Sequence, residues 1–176
     1  MRLALLEAGR LGYRRIGLVL NREGDLRTDG RWAAAYLEWQ RTMPSRQRVP
    51  VLERFEPGAF QAWVRRWKPD LLLSPGTSPL DWARSLSFSV PGDLGYMILN
   101  KTQAPWCRGV AGVDQNLPEV GRAAVNLLHS LIVTGERGIP PIRTCILQDA
   151  TWVPDRTAGD LGEAARPGRP RASSRP

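Results

Sequence analysis

The sequence has little of the side-chain chemistry on which catalysis and metal binding depend. Its 176 residues include one histidine, His129, and two cysteines, Cys107 and Cys145, which lie far apart without metal-ligand spacing. The G-x-S-x-G, Walker and G-x-G-x-x-G motifs are absent as well. His129 falls off the apolar stripe of its predicted helix, which favours a solvent-facing residue over a catalytic base. We therefore predict no catalytic residue, no metal and no cofactor, and expect that the chain is not an enzyme.

Long apolar runs are also missing. No stretch approaches the roughly 20 residues of a membrane-spanning helix. The first residues, MRLALLEAGRLGYRR, are too polar to form the apolar core of a signal peptide. The two cysteines are most simply explained as buried, reduced thiols, although a disulfide between them stays open. These features favour a cytoplasmic protein with no membrane partner.

Lysine is scarce, because Lys68 and Lys101 are the only two among 25 basic residues. Arginine therefore carries nearly all of the formal charge of +8. Part of the excess, four arginines against two acidic residues, lies in residues 158–176, a segment rich in Pro, Gly, Ser and Arg without an apolar period, which we predict to be a disordered basic tail. Net charge alone is weak evidence for nucleic-acid binding, so we do not expect it from composition.

Apolar runs alternate with helical patterns along the chain. Helices are predicted at residues 3–8, 31–42, 58–67, 80–86 and 120–132, and strands at residues 16–20, 49–55, 70–73, 94–99 and 144–147, the last with an extension at residues 151–153. Strands that alternate with helices of this length predict an α/β fold with a parallel sheet flanked by helices. Residues 90–132 form its centre, with a buried strand, a polar connector and the longest helix.

Polar side chains follow several of these strands. Arg27 comes after the first strand, Ser74 and Asn100 end two others, and Gln115 precedes the long helix. The carboxyl ends of parallel strands meet at one edge of a sheet, where open α/β proteins place ligands. Together the four residues could bind a hydroxyl-rich small molecule against the apolar face of Trp32 or Trp106. The alternative is that each only satisfies backbone groups of its own loop.

Several motifs occur in the order found in regulators of the LacI/GalR family. The segment LGYRRIGLVL at residues 11–20 resembles the L-G-H-R-x-I-x-x-I of that family, and Arg27 with Gly30 matches its R-x-x-G. VPGDLGYMILN at residues 90–100 resembles V-P-x-D-I-x-V-x-G-F-D. QNLPEVGRAA at residues 115–124 is similar to Q-x-x-x-x-x-G-x-x-A, and WVPDRT at residues 152–157 stands where the family has R-x-S/T.

The resemblance implies a type I, periplasmic-binding-protein-like sensor core, in which two α/β lobes surround a small effector, often a sugar. It implies one complete lobe plus part of a second within an effector-sensing domain of residues 1–157. Residues 13–100 and 143–157 would form mainly the carboxy-terminal lobe, and residues 1–12 and 115–134 a remnant of the amino-terminal lobe. By position, Arg27, Asn100 and Gln115 would contact the effector. Asn100 replaces the usual Asp of the family, and Ser74 with its two following residues replaces an Asn-Asp pair.

We accordingly expect the effector-binding and dimerisation core of a LacI/GalR-type transcriptional regulator. Operator DNA would be bound through a helix-turn-helix segment that these residues lack, and the chain would form a homodimer. The apolar stripe of the helix at residues 120–132 would be exposed unless a partner covers it. The alternatives are a stand-alone sugar-binding protein of the periplasmic type and, with less support, a small α/β enzyme.

Overall fold

A five-stranded sheet forms the centre of the computed structural model, which describes residues 1–140, 142 and 145–161. Strands β1 (Ile16–Leu18), β2 (Leu71–Ser74), β3 (Gly95–Lys101), β4 (Gly112–Asp114) and β5 (Thr151–Val153) lie in that order across the sheet. The first four strands are parallel, and β5 pairs antiparallel with β4. The predicted α/β fold with a mainly parallel sheet is therefore confirmed.

Six α-helices accompany these strands in the part of the chain that the structure describes. They are α1 (Arg2–Arg10), α2 (Arg22–Leu26), α3 (Arg31–Arg41), α4 (Pro57–Trp67), α5 (Ser78–Ser85) and α6 (Leu117–Val133). Helix α4 has Pro57 in its first turn, where the missing N–H of proline costs no hydrogen bond. It ends at Lys68, which adopts the left-handed conformation (φ 45°) common at helix C-termini, and the following Pro69 cannot continue the helix. None of the helices in the described residues is long and apolar enough to cross a membrane.

The helices cover both faces of the sheet and form two apolar clusters. On one face, α1 and α3 pack Ala4, Leu5, Ala8 and Tyr36 against Leu18, Leu73, Met97 and Leu99. On the other face, α4 and α5 pack Phe60, Trp63, Val64 and Leu80 against Leu72, Tyr96 and Ile98. Because neighbouring residues of β2 and β3 point to opposite faces, both faces of these strands are apolar, as expected of a parallel sheet between helix layers.

Two predicted strands are wrong. Residues 49–55 make a single bridge, in which Leu52 N–H donates to Leu18 O (2.9 Å) and Leu52 O accepts from Leu20 N–H (3.0 Å). Pro50 has no N–H to donate to a longer ladder. Of the segment 144–147, the described residues 145–147 have no regular structure, and Leu147 is 84% exposed. The antiparallel strand β5 lies four residues further on.

Two short elements were not predicted from the sequence. Strand β4 has only three residues and begins at Gly112, below the usual length of a strand and with a residue that strands disfavour. Helix α2 lies in a segment for which the apolar pattern predicts no helix. Its signal was Asn21, whose side-chain oxygen accepts a hydrogen bond from Glu23 N–H (3.0 Å) as an N-cap.

Helix α1 belongs to the same packed body as the sheet. Ala4, Leu5 and Ala8 are buried in one cluster with Ile16 and Leu18 of β1. Residues 1–12 therefore pack against the sheet, and their assignment to a remnant of the amino-terminal lobe stays a prediction. The disordered tail was predicted to begin at residue 158, but residues 158–161 pack against the fold. Ala158 is buried, and Leu161 N–H donates to Leu11 O (2.9 Å). Residues 162–176 of that tail lie outside the described residues.

Thr157 forms hydrogen bonds to backbone groups beside β3 and β4. Its hydroxyl donates to Tyr96 O (2.8 Å) and accepts from Ala111 N–H (2.9 Å), and its own carbonyl accepts from Tyr96 N–H (2.7 Å). A small hydroxyl residue is therefore needed at this position to satisfy buried backbone groups of two strands.

The cysteines differ in environment. Cys107 is buried, whereas Cys145 is exposed, and both are free thiols. The prediction that both thiols are buried is therefore wrong for Cys145, whereas the thiols are unpaired as expected. His129 is exposed, as the helical pattern predicted.

Candidate functional site

A cavity of about 520 Å³ opens at the carboxyl ends of β3 and β4. Leu99 and Val113 form its floor, the apolar side of α6 forms one wall, and the segment from Ile146 to Ala150 forms another. The remaining lining residues are Met1, Trp32, Gln115, Val120, Ala123, Ala124 and Leu127, with Leu147 and Gln148 from that segment. A mostly apolar cavity with a few polar groups is the usual form of a small-molecule site.

Gln115 is the polar group that follows β4 into this cavity. The parallel register pairs Asp114 with Lys101, so Gln115 comes directly after the sheet and directly before α6. Its Nε2 donates to Leu99 O at 3.4 Å, which fixes the amide over the floor of the cavity. An amide has two donor hydrogens and one acceptor oxygen. One N–H and the oxygen are therefore available to a ligand hydroxyl beyond this bond.

Trp32 supplies an aromatic surface to the same cavity, as one of the two tryptophans expected for that role. The turn before α3 fixes its position: Asp25 is buried, and its carboxylate accepts from Trp32 N–H at 3.3 Å. The Asp25 carbonyl also accepts from the N–H of Thr28 and of Gly30, both at 2.9 Å. Gly30 has φ +68°, a conformation that glycine adopts without strain. The other candidate, Trp106, is 51% exposed and lies outside the cavity.

The structure does not bring all four predicted residues together. Gln115 lines the cavity, whereas Arg27, Ser74 and Asn100 do not. Arg27 is an exposed residue at the end of α2, and Asn100 is partly exposed near the end of β3. Ser74 is fully buried, so the direct ligand contact predicted for its hydroxyl is not available in this structure.

Ser74 has instead a place in the packing of the opposite face of the sheet. It lies two residues after Leu72, on the face that holds Tyr96 and Ile98. Burial raises the pKa of the Tyr96 phenol far above its ordinary value, and contact with the Ser74 hydroxyl opposes that rise. Tyr96 also donates its hydroxyl to Gly76 O. The pattern of polar residues at strand ends did not reveal which face each side chain occupies.

Lys101 is a buried cation that the sequence reasoning did not single out. Its Nζ donates to the carbonyls of Cys107 (3.1 Å) and Val110, and it pairs with an Asp155 carboxylate oxygen at 3.5 Å. A buried charge of this kind needs both a counter-ion and hydrogen bonds. Lys101 therefore fastens the loop between β3 and β4 to the segment after β5. The sequence feature that could have indicated Lys101 is its position as a charged residue at the end of an apolar strand.

Helix α6 is apolar on two sides. One side, with Val120, Ala123, Ala124 and Leu127, lines the cavity. A second row, Val125, Leu128 and Ile132, stays outside the cavity, and these side chains are 65%, 58% and 68% exposed. None of the 17 residues of α6 is buried. A helix that is hydrophobic around its circumference is usually packed on more than one side.

The same arrangement of elements is found in a family of ligand-binding proteins. Residues 9–154 match the model of the periplasmic binding protein-like domain. The chain belongs to this family. The match includes all five strands of the sheet together with α2–α6 and the end of α1. No curated protein matches the sequence.

Solved structures of LacI-family regulators share this fold. The lac repressor dimer bound to operator and the anti-inducer ONPF superposes with a TM-score of 0.66 at 15% identity, over 90% of this chain and 49% of that one. A LacI-family regulator from Bifidobacterium animalis subsp. lactis gives 0.64 at 16% identity, over 90% and 60%. One from Enterococcus faecium with bound ribose gives 0.59 at 16% identity, over 90% and 62%.

These comparisons confirm the predicted resemblance to LacI/GalR sensor cores and the periplasmic-binding-protein-like fold. They concern one part of such a protein, because the chain spans about half to three-fifths of the length of these structures. At identities of 15–16% they establish the fold alone.

Proposed function

We propose that this chain is the effector-binding part of a LacI-type transcriptional regulator and binds a small polar molecule, most simply a sugar or sugar derivative. Gln115 carries the proposal, because this hydrogen-bonding amide lies in a mostly apolar cavity at the carboxyl edge of the sheet. A sugar presents hydroxyls to such an amide and apolar ring hydrogens to an aromatic surface such as Trp32. The regulator from Enterococcus faecium with bound ribose gives this choice a precedent in the same fold.

The mechanism follows from the floor and the walls of the cavity. The floor belongs to the sheet, and the walls consist of α6 and residues 146–150. A ligand that contacts both walls favours the arrangement in which they lie close together, and it acts only through its unequal affinity for the closed and open states. In a regulator this difference would change the affinity of an attached helix-turn-helix segment for operator DNA, by typically about 1–3 kcal/mol. A binding role in the cytoplasm, and no catalysis, is part of the same proposal.

The test is a thermal-shift screen of the full chain against ribose, other sugars and sugar phosphates, followed by calorimetry on any compound that binds. Gln115→Ala should weaken binding about three- to tenfold, the value of one hydrogen bond. Arg27 is exposed and does not line this cavity, so Arg27→Ala should hardly change the melting temperature; weaker binding by this variant would extend the site to Arg27, as its position in the resemblance implies. Gln61→Ala, a partly exposed amide on α4, is the matched control and should bind as the wild type does. Equal affinities for Gln115→Ala and wild type would refute the site.

We also propose that the second apolar row of α6, Val125, Leu128 and Ile132, packs against a second copy of the chain. These side chains are at least 58% exposed, and exposed apolar rows of this kind mark interfaces. Sedimentation should show self-association of the wild type, and Val125→Lys/Ile132→Lys should shift the chain towards monomer. Leu37→Lys is the control, because Leu37 is 50% exposed on α3, away from α6. A wild-type chain that sediments as a monomer would contradict this part of the proposal.

A further inference from the structure

Basic side chains gather at the amino-terminal edge of the sheet, opposite the cavity. Arg14 precedes β1, Arg46 lies in the short 3₁₀ helix Ser45–Gln47, and Arg65, Arg66 and Lys68 stand at the end of α4. All five are exposed. We call this set, Arg14, Arg46, Arg65, Arg66 and Lys68, the basic edge.

Arg15 holds these three segments together. Its guanidinium donates to the carbonyls of Arg46, Trp67 and Lys68, the last at 3.1 Å. Asp70 fixes the first segment, because its carboxylate accepts the N–H groups of Arg14 (2.8 Å) and Arg15 (2.9 Å). The positive charges of the basic edge are therefore brought together by a defined network of contacts, although they come from distant parts of the sequence.

No described acidic side chain forms an ion pair with the basic edge. In the part of the chain that the structure describes, ion pairs use other cations, namely Arg10, Arg31, Arg41, Arg54, Arg84, Lys101 and Arg122. Most of these pairs join residues three apart on one helix. The helix dipole favours positive charge in the last turn of α4, and this explains the positions of Arg65 and Arg66. It does not account for Arg14 or Arg46, which lie outside any α-helix.

We propose that the basic edge contacts the phosphate backbone of duplex DNA without reading its sequence. Arginine suits this role because its planar guanidinium matches phosphate oxygens, and unpaired cations gain most from the release of phosphate counter-ions. Further positive charge follows Leu161 in the sequence. Leu161 bonds to Leu11, three residues before Arg14, and the sequence after Leu161 contains Arg166, Arg169, Arg171 and Arg175 with Glu163 as its only acidic residue. The proposal does not depend on the effector site.

The test measures fluorescence anisotropy of a labelled mixed-sequence duplex of about 20 base pairs with the full chain, between about 50 and 200 mM salt. Arg14→Gln/Arg46→Gln/Arg65→Gln should weaken binding at least tenfold at the lower salt concentration. The slope of log K against log salt should become shallower by about 2–3, because each lost phosphate contact removes about 0.9. If this variant does not fold, Arg46→Gln and Arg65→Gln alone should each reduce the slope by about 1.

Arg22→Gln/Arg108→Gln/Arg137→Gln is the matched control. It removes the same charge from exposed arginines elsewhere on the described surface and should change the affinity less than about threefold, as contacts outside the basic edge carry little of the binding. Equal losses in both triple variants would show an effect of net charge alone and overturn the proposal. Absence of wild-type binding would overturn it too, as would a soluble polyglutamate that binds with the same dependence on Arg14, Arg46 and Arg65, since the partner would then be an acidic polypeptide.

Discussion

Replacing Thr157 with valine removes a hydroxyl and keeps the shape of the side chain. In the native chain this hydroxyl donates to Tyr96 O at 2.8 Å and accepts from Ala111 N–H at 2.9 Å, and Thr157 is only 2% exposed. Water cannot readily replace either bond at a site this buried. A buried backbone group left without a partner costs about 1–3 kcal/mol, so two such groups predict a loss of about 2–6 kcal/mol. That is a large part of the 5–15 kcal/mol typical of a domain.

Urea unfolding followed by circular dichroism measures this loss directly. In a thermal melt the melting temperature should fall by about 4–24 °C, since each kcal/mol is worth about 2–4 °C in a chain of this size. Thr157→Ser keeps the hydroxyl and should lose much less. Thr134→Val removes a hydroxyl bond to Ser130 O at the exposed end of α6 and should change the free energy of unfolding by less than about 0.5 kcal/mol. The reasoning fails if Thr157→Val is as stable as wild type, or if Thr157→Ser is as unstable as Thr157→Val.

Two further predictions concern the core. All three tyrosines are buried, and burial raises the pKa of Tyr13, Tyr36 and Tyr96. The native chain should show no tyrosine ionisation near pH 10 in an absorbance titration. Its free energy of unfolding should fall as pH rises above about 10, where the unfolded state alone loses these protons; ionisation of the native chain near pH 10 would contradict this. Gly112→Ala should lose about 1–3 kcal/mol in urea unfolding, because its Cβ would lie 2.3 Å from Ile98 O. Gly121→Ala on α6, with open space around the new methyl, should not destabilise; equal losses would refute the packing argument.

Elements with a long and uniform pattern were predictable from the sequence. Helix α6 and strand β3 were found within a few residues of their bounds, because an apolar period over many residues outweighs local variation. Strand β4 was missed because three residues carry no period, and its place depends on the close approach of Gly112 to Ile98. Residues 49–55 look like a strand in composition, but the edge of β1 offers them one bridge only.

The general position of the site could be predicted from the sequence, but most of the residues that line it could not. Gln115 could be named because it directly follows a strand and precedes a helix, so its location hardly depends on packing. Ser74 also ends a strand, yet its side chain is buried on the face of Tyr96, because the direction of a strand residue depends on register. Lys101 and the basic edge depend on contacts between distant segments, such as Arg15 with Arg46, which no local pattern encodes.

Hydrogen–deuterium exchange with and without a bound sugar tests the central proposal most directly. With ribose, or whichever sugar or sugar phosphate binds in the thermal-shift screen, we expect slower exchange in β4 and the first turns of α6, around Gln115, and in residues 146–150. No such change is expected in the groove between α1 and α3 that includes Leu5 and Trp39. Slower exchange confined to that groove, or the failure of every sugar and sugar phosphate to bind, would contradict the assignment of this chain as a sugar-binding sensor.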